Sequence, residues 1–313
     1  MMTASLRAFL EHLIDYAGLF PPANLGMPEA VKTYARHLAS DHAWMVGRFV
    51  CPVGRLDAFA SKGDKSLRKF SPIRVAGLSS SMNHAGALMG VAAADAVAVR
   101  QFEQEGWGVV DVLEVRLPDD LVGGDPSEIP LALDRYESEL KVGGMHLKRI
   151  FYEVGRTPTW NDRVERIAAA CSREKHRGIK IRCGGATADA YPSVDEVAGA
   201  VAICARLRVP YKATAGLHHP VRHEVRGSGI TQHGFVNVFA AGLLASKLDA
   251  DRLSSLVDDR DLAHFNFADE HLAWGGFEAP LAAVNKARRT FAISYGSCDI
   301  DEPVEDLRNA GLL

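Results

Sequence analysis

Gly178-Ile179-Lys180-Ile181-Arg182-Cys183, then Ser193-Val194-Asp195-Glu196, then Tyr211-Lys212-Ala213-Thr214-Ala215-Gly216: this strand, helix start and strand decide the fold. Side chains alternate between the two faces of a strand, so Ile179 and Ile181 share one face and Lys180 and Arg182 the other. In the second strand Ala213 and Ala215 take the apolar face, leaving Lys212 and Thr214 opposite. Between them, Ser193 with Glu196 three residues on, ahead of an apolar run, is a capping box. Two short strands joined by a helix pair in parallel, and the helix covers the sheet.

The same unit recurs along the chain. Strands are expected near Leu13–Leu19, Met45–Val53, Ile73–Ser79, Val109–Leu117, Leu147–Val154, Ile179–Cys183, Tyr211–Leu217 and Phe291–Tyr295. Asp125-Pro126-Ser127-Glu128 supplies a further helix start, with Asp125 as cap and Pro126 at the first helical position. Eight units within 313 residues fit one α/β domain, a single (β/α)8 (TIM) barrel over residues 1–313. A doubly wound nucleotide-binding sheet would carry G-x-G-x-x-G after its first strand, and none is present. Residues 250–280 are too long for a simple helix and loop before the last strand. They are expected to form a lid or a subunit contact, the latter implying a homo-oligomer.

Composition narrows the partners. With 47% hydrophobic and 24% charged residues and a net charge of −3, the chain is ordinary globular protein. No run of Lys and Arg interleaved with aromatics points to nucleic acid. Glu11, His12 and Asp15 interrupt the apolar pattern of residues 1–20, so no signal peptide is expected. The windows 85–99 and 235–248 are broken by Asp95 and Lys247, so no membrane span is expected either. The five cysteines, odd in number and never in a C-x-x-C pair, fit a reducing compartment. A cytoplasmic location follows as an expectation.

Barrel interiors are normally layers of Val, Ile and Leu. Here Lys180, Arg182, Lys212 and Thr214 point inward, Glu114 and Arg116 share a face of the fourth strand, and Glu153 shares one with Phe151. An internal ion-pair network, Glu114 with Arg116 or Arg182, is the plain alternative. Buried pairs stabilise little, however, because desolvation rivals their attraction. A cationic excess suits a small substrate bearing a carboxylate or phosphate. A lysine desolvated beside Lys180 or Arg182 would have its pKa lowered, and a neutral amine can attack a carbonyl carbon to form a Schiff base.

The stretch Lys212-Ala213-Thr214-Ala215-Gly216-Leu217 resembles the Lys-Thr-Ser-Thr-Gly-Phe strand of the deoxyribose-phosphate aldolase family. That family is also a (β/α)8 barrel, and the lysine of this strand forms its Schiff base. The resemblance covers about six residues and implies class I aldolase-like chemistry at Lys212. The family carries another lysine on the strand after its Schiff-base strand, whereas Lys180 here lies on the strand before Lys212.

His218, His219, His223 and His233 fall within 16 residues, just past a barrel strand, where catalytic groups of this fold gather. His218 suits acid/base work, or metal ligation with His219, His223 and His233 around a divalent ion such as zinc, although the spacing matches no compact zinc motif. Arg222 and Arg226 are placed to bind an anion when Gly227-Ser228-Gly229 flexes. Ser297, in the turn after the last strand, has backbone N–H groups that suit a phosphate. Asp15, before the turn at Phe20-Pro21-Pro22, either assists a lysine by proton transfer or caps the turn. Arg48 is an inward charge from the second strand.

Three functions stay open on these residues. The first is an aldolase-type lyase needing no cofactor, with Lys212 as nucleophile, Lys180 and Asp15 assisting, and His218 or Glu153 moving protons. Its substrate would be held by Arg182, Thr214, Arg48, Glu114, Arg116, Arg222 and Ser297. The second is a metal-dependent lyase, isomerase or hydrolase using the histidines. The third is a non-catalytic binding or scaffold barrel.

Overall fold

The computed structural model describes residues 2–62, 65–185 and 187–313. Eight parallel strands close into a barrel: β1 (Ile14–Tyr16), β2 (Val46–Pro52), β3 (Ile73–Leu78), β4 (Gly108–Arg116), β5 (Arg149–Glu153), β6 (Arg177–Arg182), β7 (Tyr211–Thr214) and β8 (Ala292–Ser297). They lie in sequence order, and β8 pairs with β1 to complete the ring. The expected strands are all present, the first cut to three residues. In β6 and β7, Lys180 stands directly beside Lys212, and Arg182 beside Thr214.

The capping box forms: Glu196 N–H donates to Ser193 Oγ, starting the helix Val194–Leu207. Asp125 behaves differently from its expected role. Its Oδ1 accepts the Ser127 N–H, shaping a turn, and the helix begins only at Glu128. An acid followed by Pro-Ser serves a local turn as readily as a helix cap.

Helices pack their apolar faces on the outside of the ring, where most of the core lies. Inside, Val50, Ala76, Val112 and Phe151 form a separate apolar floor. Gly178 makes room for it: a Cβ there would lie 2.6 Å from the Phe151 ring. Phe151→Ala should therefore open a cavity in the barrel centre and cost about 3–5 kcal/mol, read as a lowered urea midpoint.

Residues 250–280 form the helix Ala250–Asp258 and an antiparallel sheet of Phe265–Phe267, His271–Trp274 and Phe277–Pro280. The sheet braces the first helix, Ala4–Leu10. Phe267 packs edge-on against Phe9 at 5.3 Å, and Ala4 N–H donates to Asp269 Oδ1 at 2.9 Å. None of these residues lines the mouth of the barrel. The lid expected here is thus corrected to a brace on the barrel flank, because its apolar side chains are spent on that helix. The mouth is instead bordered by a short hairpin, His223–Val225 with Ile230–Gln232, turned by Gly227 and Gly229 at positive φ. No helix among the described residues is long and apolar enough to cross a membrane.

Candidate active site

At the C-terminal ends of the strands lies a cavity of about 780 Å³. In barrels of this kind, catalytic groups collect at this face. Glu114, Lys180, Arg182, Thr214 and His218 line it, with Tyr191, Phe20 and the Pro21-Pro22 turn as apolar wall.

Under the cavity the inward charges join into one chain. Asp15 Oδ2 accepts from Lys212 Nζ at 2.9 Å, and Lys212 also donates to Glu114 Oε1. Glu114 Oε2 lies 2.8 Å from Lys180 Nζ, Glu153 Oε2 lies 2.9 Å from the same nitrogen, and Glu153 Oε1 accepts from Arg182 Nε at 2.7 Å. Ser294 Oγ and the Arg48 backbone N–H donate to Asp15, both at 2.7 Å. Three acids face three cations, so the chain is neutral as a whole. Five of the six are buried; Arg182 alone reaches solvent, its side chain 40% exposed.

Each contact is worth roughly 6 kcal/mol at an effective dielectric near 20. Desolvation costs several kcal/mol per ion, so the network roughly breaks even. A barrel filled with Val and Leu would be as stable.

Burial alone would push the acids up, but the lysines and arginines outweigh it. Asp15 and Glu114 are held below the usual carboxylate values, and Glu153 falls to about 2 through Lys180 and Arg182. For Lys180, burial favours the neutral amine, yet Glu114 and Glu153 prevail and its pKa is raised. At rest Lys180 is an ammonium clasped by two carboxylates. Lys212 was expected beside a cation; its nitrogen instead meets Asp15 and Glu114, with Glu114 standing between the two lysines. It rests on the apolar floor, 6.0 Å from the Phe151 ring centre, and does not line the cavity.

Several expected site residues lie elsewhere. Arg48 points to the opposite, N-terminal end of the barrel, where its guanidinium holds Asp111 at 2.6 and 3.0 Å. Arg116 is exposed, outside the cavity lining and unpaired with Glu114, which the lysines occupy. Arg222 forms an ion pair with Asp258 at 2.8 Å and donates to His233 Nδ1, which spends it away from the mouth. Ser297 Oγ donates to Asp299 O at 2.6 Å, closing its own turn rather than facing the cavity.

The histidines do not converge on one ion. His233 is wholly buried, its Nε2 donating to Pro192 O at 2.8 Å. Burial lowers its pKa to about 4, so it is a neutral packing residue. His218 Nδ1 lies 3.1 Å from Glu302 and His219 Nδ1 2.6 Å from Asp306, while His223 stacks edge-on against His219 at 4.1 Å. Among the described residues the one trio of ligating groups that comes together excludes all four. The metal reading of this cluster is corrected accordingly.

Glu302, Asp306, Tyr191 and Gln232 are functional neighbours that sequence reasoning missed. Glu302 and Asp306 are four apart on the last helix and so share a face. Gln232 Nε2 donates to Tyr191 OH at 3.1 Å, a link between distant segments with no local sign. All five cysteines are buried and unpaired, as a thiol-keeping compartment would allow. Cys298 borders the cavity, its thiol pKa pushed up by burial.

No protein-family profile and no curated protein matches the chain. Among solved structures it is similar to two crystal structures of a protein assigned as a deoxyribose-phosphate aldolase from Toxoplasma gondii ME49, at 15% identity over 69% of this chain and 80% of that chain. The TM-scores are 0.45 and 0.46, the latter for the apo form.

Proposed function

We propose that this barrel is an aldolase-type lyase that joins a small anionic carbonyl compound to a lysine as an imine, and that the nucleophile is Lys180, not Lys212. The observation that carries the reading is access: Lys180 borders the 780 Å³ cavity while sharing its proton with two carboxylates, and Lys212 lies beneath it. The six-residue resemblance would put the imine on Lys212; access to the cavity favours Lys180 instead.

As the substrate anion draws the Arg182 guanidinium off Glu153, that carboxylate loses a cation that holds it acidic, and it takes a proton from the Lys180 ammonium across 2.9 Å. The freed lone pair attacks the carbonyl carbon, and the carbonyl oxygen leaves as water after gaining two protons. A base then takes the proton of the hydroxyl two carbons from the iminium carbon; that hydroxyl carbon departs as an aldehyde as the C–C bond breaks, and the bond's electron pair passes into the iminium to give an enamine. Protonation of the enamine on carbon restores an iminium, which water hydrolyses to release the second carbonyl product and the free Lys180 amine. A protonated Glu153 no longer neutralises Arg182. That guanidinium, half out in solvent, stays on the substrate carboxylate or phosphate. Lys212, held on its other side by Asp15, keeps Glu114 ionised beside Lys180, and His218, paired with Glu302, supplies acid/base capacity at the cavity wall.

Arg182→Gln should raise KM about 10–100-fold with a smaller fall in kcat, since a charged hydrogen bond to the substrate anion is lost in ground and transition state alike. Steady-state kinetics on any substrate found will show it. The chemistry itself is tested with a panel of small keto acids, aldehydes and sugar phosphates, with and without borohydride. Turnover accompanied by a stable mass increment on the protein is expected. Turnover with no trapped adduct on any lysine overturns the imine.

A further inference from the structure

Outside the mouth, three ligating side chains meet where the chain's two ends come together. His37 lies in the helix Met27–Leu38, His42 in the turn before β2, and Asp301 opens the last helix, Asp301–Asn309. One nitrogen from each imidazole and one Asp301 oxygen all lie within 4.8 Å of one another. His37 Nδ1 stands 3.7 Å from Asp301 Oδ1.

A second observation is independent of that spacing. His37 is 1% exposed and its Nδ1 has no hydrogen-bond partner. Both ring nitrogens of His42 are likewise buried and unpartnered. Leaving one buried polar atom unsatisfied costs about 1–3 kcal/mol, and here three imidazole nitrogens are left so in one place. One nitrogen of each neutral ring carries a lone pair, and a group that takes one from each ring would satisfy two of the three.

We infer that His37, His42 and Asp301 form a site for a divalent transition metal of the zinc class, clipping the helix Met27–Leu38 and the turn after it to the last helix of the barrel. Two imidazoles and one carboxylate are the donor set that suits Zn²⁺, with a fourth position left for water. Tetrahedral bonds near 2.0–2.1 Å set ligand atoms roughly 3.4 Å apart, so the trio contracts by about an ångström on binding. His42 sits in a turn and Asp301 is partly exposed, so both can give.

Two cations are near: Arg308, whose charge faces His42, and Arg36. Arg36 donates to Asp301 Oδ2 at 2.7 Å, the oxygen the metal does not need, and so holds the carboxylate with Oδ1 toward the histidines. Metal on Nδ1 places the ring proton of His37 on Nε2, and the long 3.5 Å contact of Arg36 with that atom is given up. Arg36 is exposed and loses little. Asp301 directly precedes Glu302, which holds His218, so the clip would also fix the end of the last helix that borders the mouth.

The test uses the full chain, stripped of metal and titrated with Co²⁺, followed by the visible absorption of the four-coordinate ion and by the thermal midpoint. Saturation at one Co²⁺ per chain is expected, with a raised midpoint. His42→Gln and Asp301→Asn should each weaken binding by more than about 100-fold, beyond what losing an outer-shell partner costs. His219→Gln, which alters the other histidine group, should leave affinity within about twofold of wild type. Should either variant unfold, the wild-type imidazole resonances decide: those of His37 and His42 broaden first on adding Co²⁺. Absence of saturable binding, unchanged affinity in His42→Gln and Asp301→Asn, or first broadening at His218, His219 and His223 overturns the site.

Discussion

Lys180→Met should abolish turnover, lowering kcat by at least about 10⁴-fold, because Lys180 is the one lysine that lines the cavity among the described residues. The fold should survive. Methionine fills similar space, and its removal of one charge leaves Glu153 with Arg182 and Glu114 with Lys212. Lys212→Met should behave differently. That lysine lies below the cavity and supports Glu114 and Asp15, so a smaller loss of kcat and a changed pH profile are expected. Kinetics of the two variants on a common substrate, over a range of pH, separate nucleophile from neighbour. Equal losses with identical pH profiles would remove the distinction.

Glu114→Gln should be the most destabilising single change in the charged network, by about 3–5 kcal/mol, measured by urea unfolding. Glu114 is the one acid that serves both lysines, and without it two buried ammonium groups face each other with one carboxylate fewer. The same network sets the response to acid. Asp15, Glu114 and Glu153 have folded pKa values below their unfolded ones. Their stabilisation is therefore present above the ordinary carboxylate range and is lost as pH falls through the folded values. For Glu153 the fall from 4.5 to about 2 amounts to roughly 3 kcal/mol. Stability should decline from near pH 4 downward, and Glu153→Gln should flatten that decline. Lys180 has the opposite sign: its raised pKa means its share is lost only in strong alkali, above its usual lysine value.

The barrel was legible because Ile179-Lys180-Ile181-Arg182 and its relatives alternate cleanly, and period-2 alternation needs nothing beyond the local chain. The same parity correctly set Lys180, Arg182, Lys212, Glu114 and Glu153 inward. Depth was not legible. Whether Lys180 or Lys212 meets the cavity depends on strand stagger around the ring, which parity along one strand does not carry. Arg48 shows the same limit: the register shifts between β3 and β4 at Asp111, and that irregularity supplies the acid which turns Arg48 to the far end. His233 and Arg222 failed as site residues for a third reason. A buried histidine bonded to Pro192 and a ligand histidine have the same one-letter neighbours, and only the tertiary contact tells them apart.

The central claim is that the imine forms on the lysine of β6. Borohydride trapping of the wild-type protein with a productive carbonyl substrate, followed by peptide mapping, addresses it most directly. The label should fall on Lys180, vanish in Lys180→Met and persist in Lys212→Met. A label on Lys212 in the wild-type protein, retained in Lys180→Met, would contradict the account.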